Sequence, residues 1–83
     1  MHIEKEKDMT YENAVKLIER LEGSTFTNVA KIGIIISQYA GRPAMCYDSS
    51  ENYAAYELNY YETIVKVHFN ETDKKIHTVT VDE

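Results

Sequence analysis

At 83 residues, with 43% hydrophobic and 28% charged residues, the chain has room for one core, is too short for a second domain, and is too apolar to be a disordered chain. Fourteen Asp and Glu against nine Lys and Arg give a formal charge of −5, which repels phosphate backbones and anionic lipid headgroups and argues against direct binding to nucleic acid or membrane surfaces. Cys46 is the single cysteine, so no internal disulfide can form; a stapled secreted scaffold is excluded and a buried, inert thiol is expected.

Residues 1–8, Met1 to Asp8, alternate charge without an apolar face and read as a loose charged leader preceding one domain over 9–83. They also lack the basic-then-apolar order of a secretory signal, so a cytoplasmic location is expected. From Thr10 the pattern becomes helical. Thr10 is a good N-cap, Glu12 suits the positive end of the helix dipole, and Ala14, Leu17, Ile18 and Leu21 recur on one face. Gly23 supplies a stop, which predicts a helix over about 10–22.

Residues 27–40 carry two periodicities. Val29, Ile32, Ile36 and Tyr39 fit a helix, whereas Ile32, Ile34 and Ile36 alternate as a strand would. Asn28 as a cap and Gly41-Arg42-Pro43 as a terminator favour the helix. Gly33 and consecutive β-branched residues favour the strand. Ile34-Ile35-Ile36, bounded by Gly33 and Ser37, falls far below the roughly 20 apolar residues of a membrane span.

From residue 44 the signals are those of strands. Ala44 to Tyr47 and Tyr53 to Tyr60 flank the polar segment 48–52, with Ala54, Tyr56, Leu58 and Tyr60 on one face. A short helix capped by Ser50 is the alternative for the second arm. Thr63 to Phe69 and Ile76 to Val81 alternate well around a turn-rich segment. Pairing Val65 with Val81, Val67 with Val79 and Phe69 with His77 gathers the apolar residues on one face and sets Glu71 opposite Lys75. The predicted architecture is α+β: two helices packed on one face of a small antiparallel sheet of about four strands. Leu17, Ile18 and Leu21 are expected to meet Val65, Val67, Val79 and Val81 in the core.

Catalytic signatures are missing from this pattern. The glycines at 23, 33 and 41 are too dispersed for a phosphate loop, and neither a nucleophile elbow nor a His-Glu-x-x-His segment occurs. Cys46 with His68 or His77 is no more than a coincidence of residue types. Cys46, His2, His68 and His77 are zinc-ligand types without zinc spacing. The expectation is a non-enzyme with no cofactor and no metal.

One segment departs from the average. Between Arg42 and Lys66 there is no cation, yet Asp48, Glu51, Glu57 and Glu62 alternate there with Tyr47, Tyr53, Tyr56, Tyr60 and Tyr61, five of the seven tyrosines. Tyrosine gives large contact area for little rotamer entropy and keeps a hydroxyl for hydrogen bonding. Carboxylates among such rings steer a basic partner. These nine residues form the candidate interface for a protein with a basic surface, against the plainer reading that the rings pack the sheet and the acids solvate it. In size and acidity the chain resembles small phage-encoded anti-restriction, anti-CRISPR and uracil-glycosylase-inhibitor proteins. That resemblance rests on composition alone, assigns no residue, and implies a non-catalytic inhibitor that covers a basic site on a nucleic-acid-handling enzyme. The alternative is a structural or regulatory homodimer built on the edge strand Thr78 to Val81, or on an apolar face of the second helix; a small metal-binding protein ranks below both.

Overall fold

The computed structural model describes residues 9–82; the expected leader at 1–8 lies outside them. In chain order the elements are α1 (Tyr11–Leu21), α2 (Val29–Ala40), β1 (Met45–Ser49), β2 (Tyr53–Leu58), β3 (Thr63–Asn70) and β4 (Lys75–Asp82). Local chemistry sets the helix ends. Thr10 Oγ1 accepts the Asn13 amide at 3.1 Å, and Asn28 Oδ1 accepts that of Lys31 at 3.1 Å, each satisfying a donor that the first turn leaves unpaired. Gly41, with φ 74°, closes α2 in the left-handed conformation that glycine adopts without strain.

The helical reading of 27–40 therefore holds, and Gly33 has a packing reason. A Cβ at Gly33 would lie 3.2 Å from Tyr56 Cε2, so its absence lets α2 settle against the β2 tyrosine ring. The Tyr56 hydroxyl donates to the Val29 carbonyl at 2.6 Å. Asn13 Nδ2 donates to the Tyr39 carbonyl at 3.2 Å and ties α1 to α2.

The strands form one antiparallel sheet in the order β1-β2-β3-β4. The fold is a small α+β fold of two helices and a four-stranded antiparallel sheet. Its core joins Leu17, Leu21, Ile32 and Ile36 to the inner-face residues Ala54, Tyr56, Leu58, Val65, Val67, Phe69, Ile76 and Val79. Ile18 and Val81, expected at its centre, are only partly buried and pack against its margin. On the opposite face Lys66, His68, Thr78 and Thr80 are exposed.

Val65 pairs with Val81 and Val67 with Val79 as expected, but Phe69 faces Ile76 and Asn70 faces Lys75. The expected partners, His77 for Phe69 and Lys75 for Glu71, are displaced because His77 is an extra residue in a bulge. Strict alternation from Val79 would have turned Ile76 outward; the bulge returns it to the core beside Phe69. The strand expected to reach Tyr60 ends at Leu58, and the alternative short helix there does not form.

The sheet margins differ. Beside β4, the Gly23 amide donates to the Ile76 carbonyl, the Ile76 amide to Ser24, and the Phe26 amide to Lys74. Glu22 Oε2 accepts the Val79 amide at 2.9 Å. The link between the helices thus covers much of the edge that the sequence suggested as open. At the other margin lies β1, all of whose residues are exposed. Cys46 sits on this strand and is exposed, which corrects the expectation of a buried thiol.

Leu17→Ala and Leu21→Ala are each expected to lower stability by about 2–5 kcal/mol, and Gly33→Val by about 1–3 kcal/mol through overpacking against Tyr56. Denaturant unfolding measures these changes; an unmoved midpoint in all three variants would contradict this packing.

Candidate functional site

The connection from β2 to β3 is made by consecutive left-handed residues. Asn59, Tyr60 and Tyr61 have φ of 51°, 58° and 70°. Such backbone costs roughly 1–2 kcal/mol per residue for side chains other than glycine, and it normally occurs at isolated positions. Asn59 tolerates it best, because a short polar side chain can bond locally.

The bonds that hold the turn come from the acids of the segment. Glu57 is turned to the outer face by its pairing with Met45 and Ile64, and its Oε2 accepts the Tyr61 amide at 2.9 Å. Asn59 Nδ2 donates to Glu62 Oε2 at 2.6 Å, and the Asn59 carbonyl accepts the Glu62 amide at 3.2 Å. The turn displays its tyrosines to solvent: Tyr60 is 91% and Tyr61 60% exposed. Core packing does not require either ring there. Backbone of this kind persists only where the surrounding bonds and contacts hold it.

A second irregularity meets the first. In β1, Cys46 pairs with Tyr56 and Asp48 with Ala55, which leaves Tyr47 as the extra residue of a bulge. The Tyr47 ring stands edge-on to Tyr61, with centroids 5.3 Å apart at 78°, a favoured aromatic arrangement. Met45, 63% exposed, and Tyr47, 44% exposed, extend the aromatic surface along β1.

The remaining candidates divide between two other places. Asp48, Glu51 and Tyr53 lie at the β1–β2 hairpin, so Tyr53 and Leu58 stand at opposite ends of β2, roughly 17 Å apart for a strand of this length. There Tyr53 donates to Asp48 and stacks on His68 at 5.7 Å. The hydrogen bond to the Asp48 carboxylate, with minor contributions from desolvation and nearby negative groups, raises the Tyr53 phenol above its ordinary pKa. Tyr56 is not a surface residue. At 1% exposed it is the largest fully buried side chain, because alternation along β2 places it inside with Ala54 and Leu58. Burial pushes its pKa well up. Met45 and Asn59, absent from the sequence-derived set, belong to the surface. Asn59 is a recognisable left-handed residue in retrospect, but two following tyrosines are not a turn signal.

Among the described residues, no group of three or more His, Cys, Asp and Glu converges as a metal site, and no helix is long and apolar enough to cross a membrane. A cleft of about 340 Å³ between the inter-helix link and β4 is lined by Leu21, Phe26, Ile32, Ile35 and Ile76, with Lys31 its one ionisable residue. No protein-family model, curated protein or solved structure matches the chain.

Tyr60→Gly is expected to raise stability by about 0.5–1 kcal/mol, since glycine removes the left-handed strain at an exposed position. Denaturant unfolding tests this, and a loss of stability would show that the ring is structural. A second expectation concerns pH. A phenol with a raised folded-state pKa stabilises the fold below its ordinary pKa of 10.0 and loses that contribution as pH rises above it. Thermal midpoints are therefore expected to fall above about pH 10, less steeply in Tyr56→Phe; equal slopes in the two proteins would contradict a protected Tyr56 hydroxyl.

Proposed function

We propose that the chain is a non-catalytic protein-binding module whose anchors are Tyr47, Tyr60 and Tyr61 beside Met45, and whose partner presents a basic surface. The observation that carries this reading is the left-handed run Asn59–Tyr61, which holds two large rings in solvent at a cost in stability. A rigid turn loses little entropy when its aromatic side chains dock, so the ordering cost is met in folding and not in binding.

Charge supports the choice of partner. Asp48, Glu51, Glu57 and Glu62 lie in a segment with no Lys or Arg between Arg42 and Lys66. Glu57 and Glu62 sit at the turn itself, where each carboxylate accepts one of its hydrogen bonds. Such a surface raises the association rate with a cationic patch, while the aromatic anchors set the lifetime of the complex.

In its finer form the reading is a cytoplasmic inhibitor of a nucleic-acid-handling enzyme. An acidic module that occupies a basic groove excludes the phosphate backbone that the groove serves, without needing chemistry of its own. The small size, the net charge of −5 and the lack of a catalytic signature in the sequence support that form.

Against a purified basic partner, Tyr60→Ala and Tyr61→Ala are each expected to weaken binding by about 2 kcal/mol or more. Asp48→Asn, Glu51→Gln, Glu57→Gln and Glu62→Gln combined are expected to slow association at low salt and to matter less at high salt; the amides keep oxygens that can close the turn. Surface plasmon resonance across salt concentrations reads both effects. Unchanged affinity in the tyrosine variants, with an unchanged rate in the amide variant, would overturn the reading.

A further inference from the structure

We infer that the open edge of β1 receives an added strand from the partner, an extended segment in which apolar residues alternate with Lys or Arg. The inference rests on the protein-binding reading above and specifies its mode. Among the described residues, the sheet has one open margin and one largely covered margin. Beside β4 the link between the helices and Glu22 take up backbone groups, whereas β1 pairs only with β2 among the described strands. An uncovered edge is a ready template for strand addition.

The surroundings of β1 differ on its two sides, and together they describe the incoming segment. On the inner side a cleft of about 330 Å³ runs between α2 and β1, lined by Ala30, Gly33 and Ser37 of the helix together with Pro43, Cys46 and Tyr56. Small helix residues leave the space open, and a Cβ at Gly33 would crowd the Tyr56 ring at 3.2 Å. Ile34, 56% exposed, adds apolar surface to its lining. On the outer side stand Met45, Tyr47 and the carboxylates of Asp48 and Glu57. Register makes the division concrete: Cys46 lies opposite the buried Tyr56, and Met45 opposite the outward Glu57. A strand laid on this edge alternates its side chains in the same way. Its apolar residues enter the cleft, and its basic residues pass beside the rings and acids.

Charge selects against a second copy in this place. Residues 43–65 contain no cation and carry Asp48, Glu51, Glu57 and Glu62, so two such edges set side by side bring carboxylates together without compensation. The bulge at Tyr47 limits a ladder on this edge to a few hydrogen bonds whichever chain adds to it, so it does not separate a partner from a second copy. Selectivity therefore lies in the side chains on either side of the strand and not in the backbone bonds alone.

A short synthetic peptide alternating valine and lysine, added to isotope-labelled protein, tests the inference by NMR with amide hydrogen exchange. At saturation, exchange at β1 amides that point away from β2 is expected to slow by about tenfold or more, and N-methylation of the peptide amides facing β1 to weaken binding by about tenfold for each hydrogen bond lost. Ala30→Phe, at an exposed position on the cleft, is expected to weaken the peptide while leaving the thermal midpoint unchanged. Perturbation of Tyr60 and Tyr61 with β1 amides unprotected and no effect of N-methylation would overturn strand addition and leave the protein-binding surface standing. No perturbation anywhere would overturn both. Protection of β1 that grows with protein concentration before peptide is added would assign the edge to a second copy, and equal binding of the peptide with glutamate in place of lysine would overturn the basic partner.

Discussion

Tyr56 fixes the relation between the helices and the sheet. Its ring occupies the space that Gly33 leaves open, and its hydroxyl satisfies the Val29 carbonyl at 2.6 Å in the first turn of α2. A buried phenol without a partner would cost about 1–3 kcal/mol, so this bond makes the inward position tolerable. Once Tyr56 points inward, Ala54 and Leu58 must follow it and Tyr53, Ala55 and Glu57 must face away. The outward Glu57 can then reach the Tyr61 amide. The bulk of Tyr56 on the inner face and the exposed turn at the end of the strand are thus consequences of one register.

The turn is costly on the scale of a domain this small. Three left-handed residues together cost on the order of 3–6 kcal/mol before their local hydrogen bonds are counted, against a total stability of about 5–15 kcal/mol for ordinary domains. The Glu57 and Glu62 bonds and the edge-on contact of Tyr47 with Tyr61 offset part of that cost. A glycine in the turn would relieve it more cheaply, yet tyrosine occupies the two central exposed positions. The same segment gathers its acids without a cation and borders the uncovered margin of the sheet. Backbone strain, exposed tyrosines and the carboxylates of Glu57 and Glu62 therefore coincide at one end of β2 beside β1, while Asp48 and Glu51 lie at the β1–β2 hairpin.

Much of the architecture was legible in the sequence because its cues were local. Thr10 and Asn28 as caps, Gly41 as a terminator and the valine alternation of β3 and β4 each act within a few residues, and each appears in the structure as read. What escaped were features set by tertiary fit. The His77 bulge exists because Ile76 and Phe69 both have apolar surface to bury, and no single-strand pattern displays that. The exposure of Cys46 follows from the marginal place of β1 in the sheet order. Within the candidate surface, composition identified the segment but not its geometry. Tyr56 and Tyr60 share a parity along the chain, yet one is buried and the other stands in solvent because β2 stops at Leu58.

The conformation of Asn59, Tyr60 and Tyr61 in the free protein bears most directly on whether this surface is built before any partner arrives. Scalar and residual dipolar couplings in solution report φ at each residue, and cross-relaxation between aromatic protons reports the contact of Tyr47 with Tyr61. Positive φ at all three residues, with a persistent cross-peak between the two rings, is the result expected of a preformed binding turn. Negative or conformationally averaged φ at Tyr60 and Tyr61, with no contact between the rings, would contradict it.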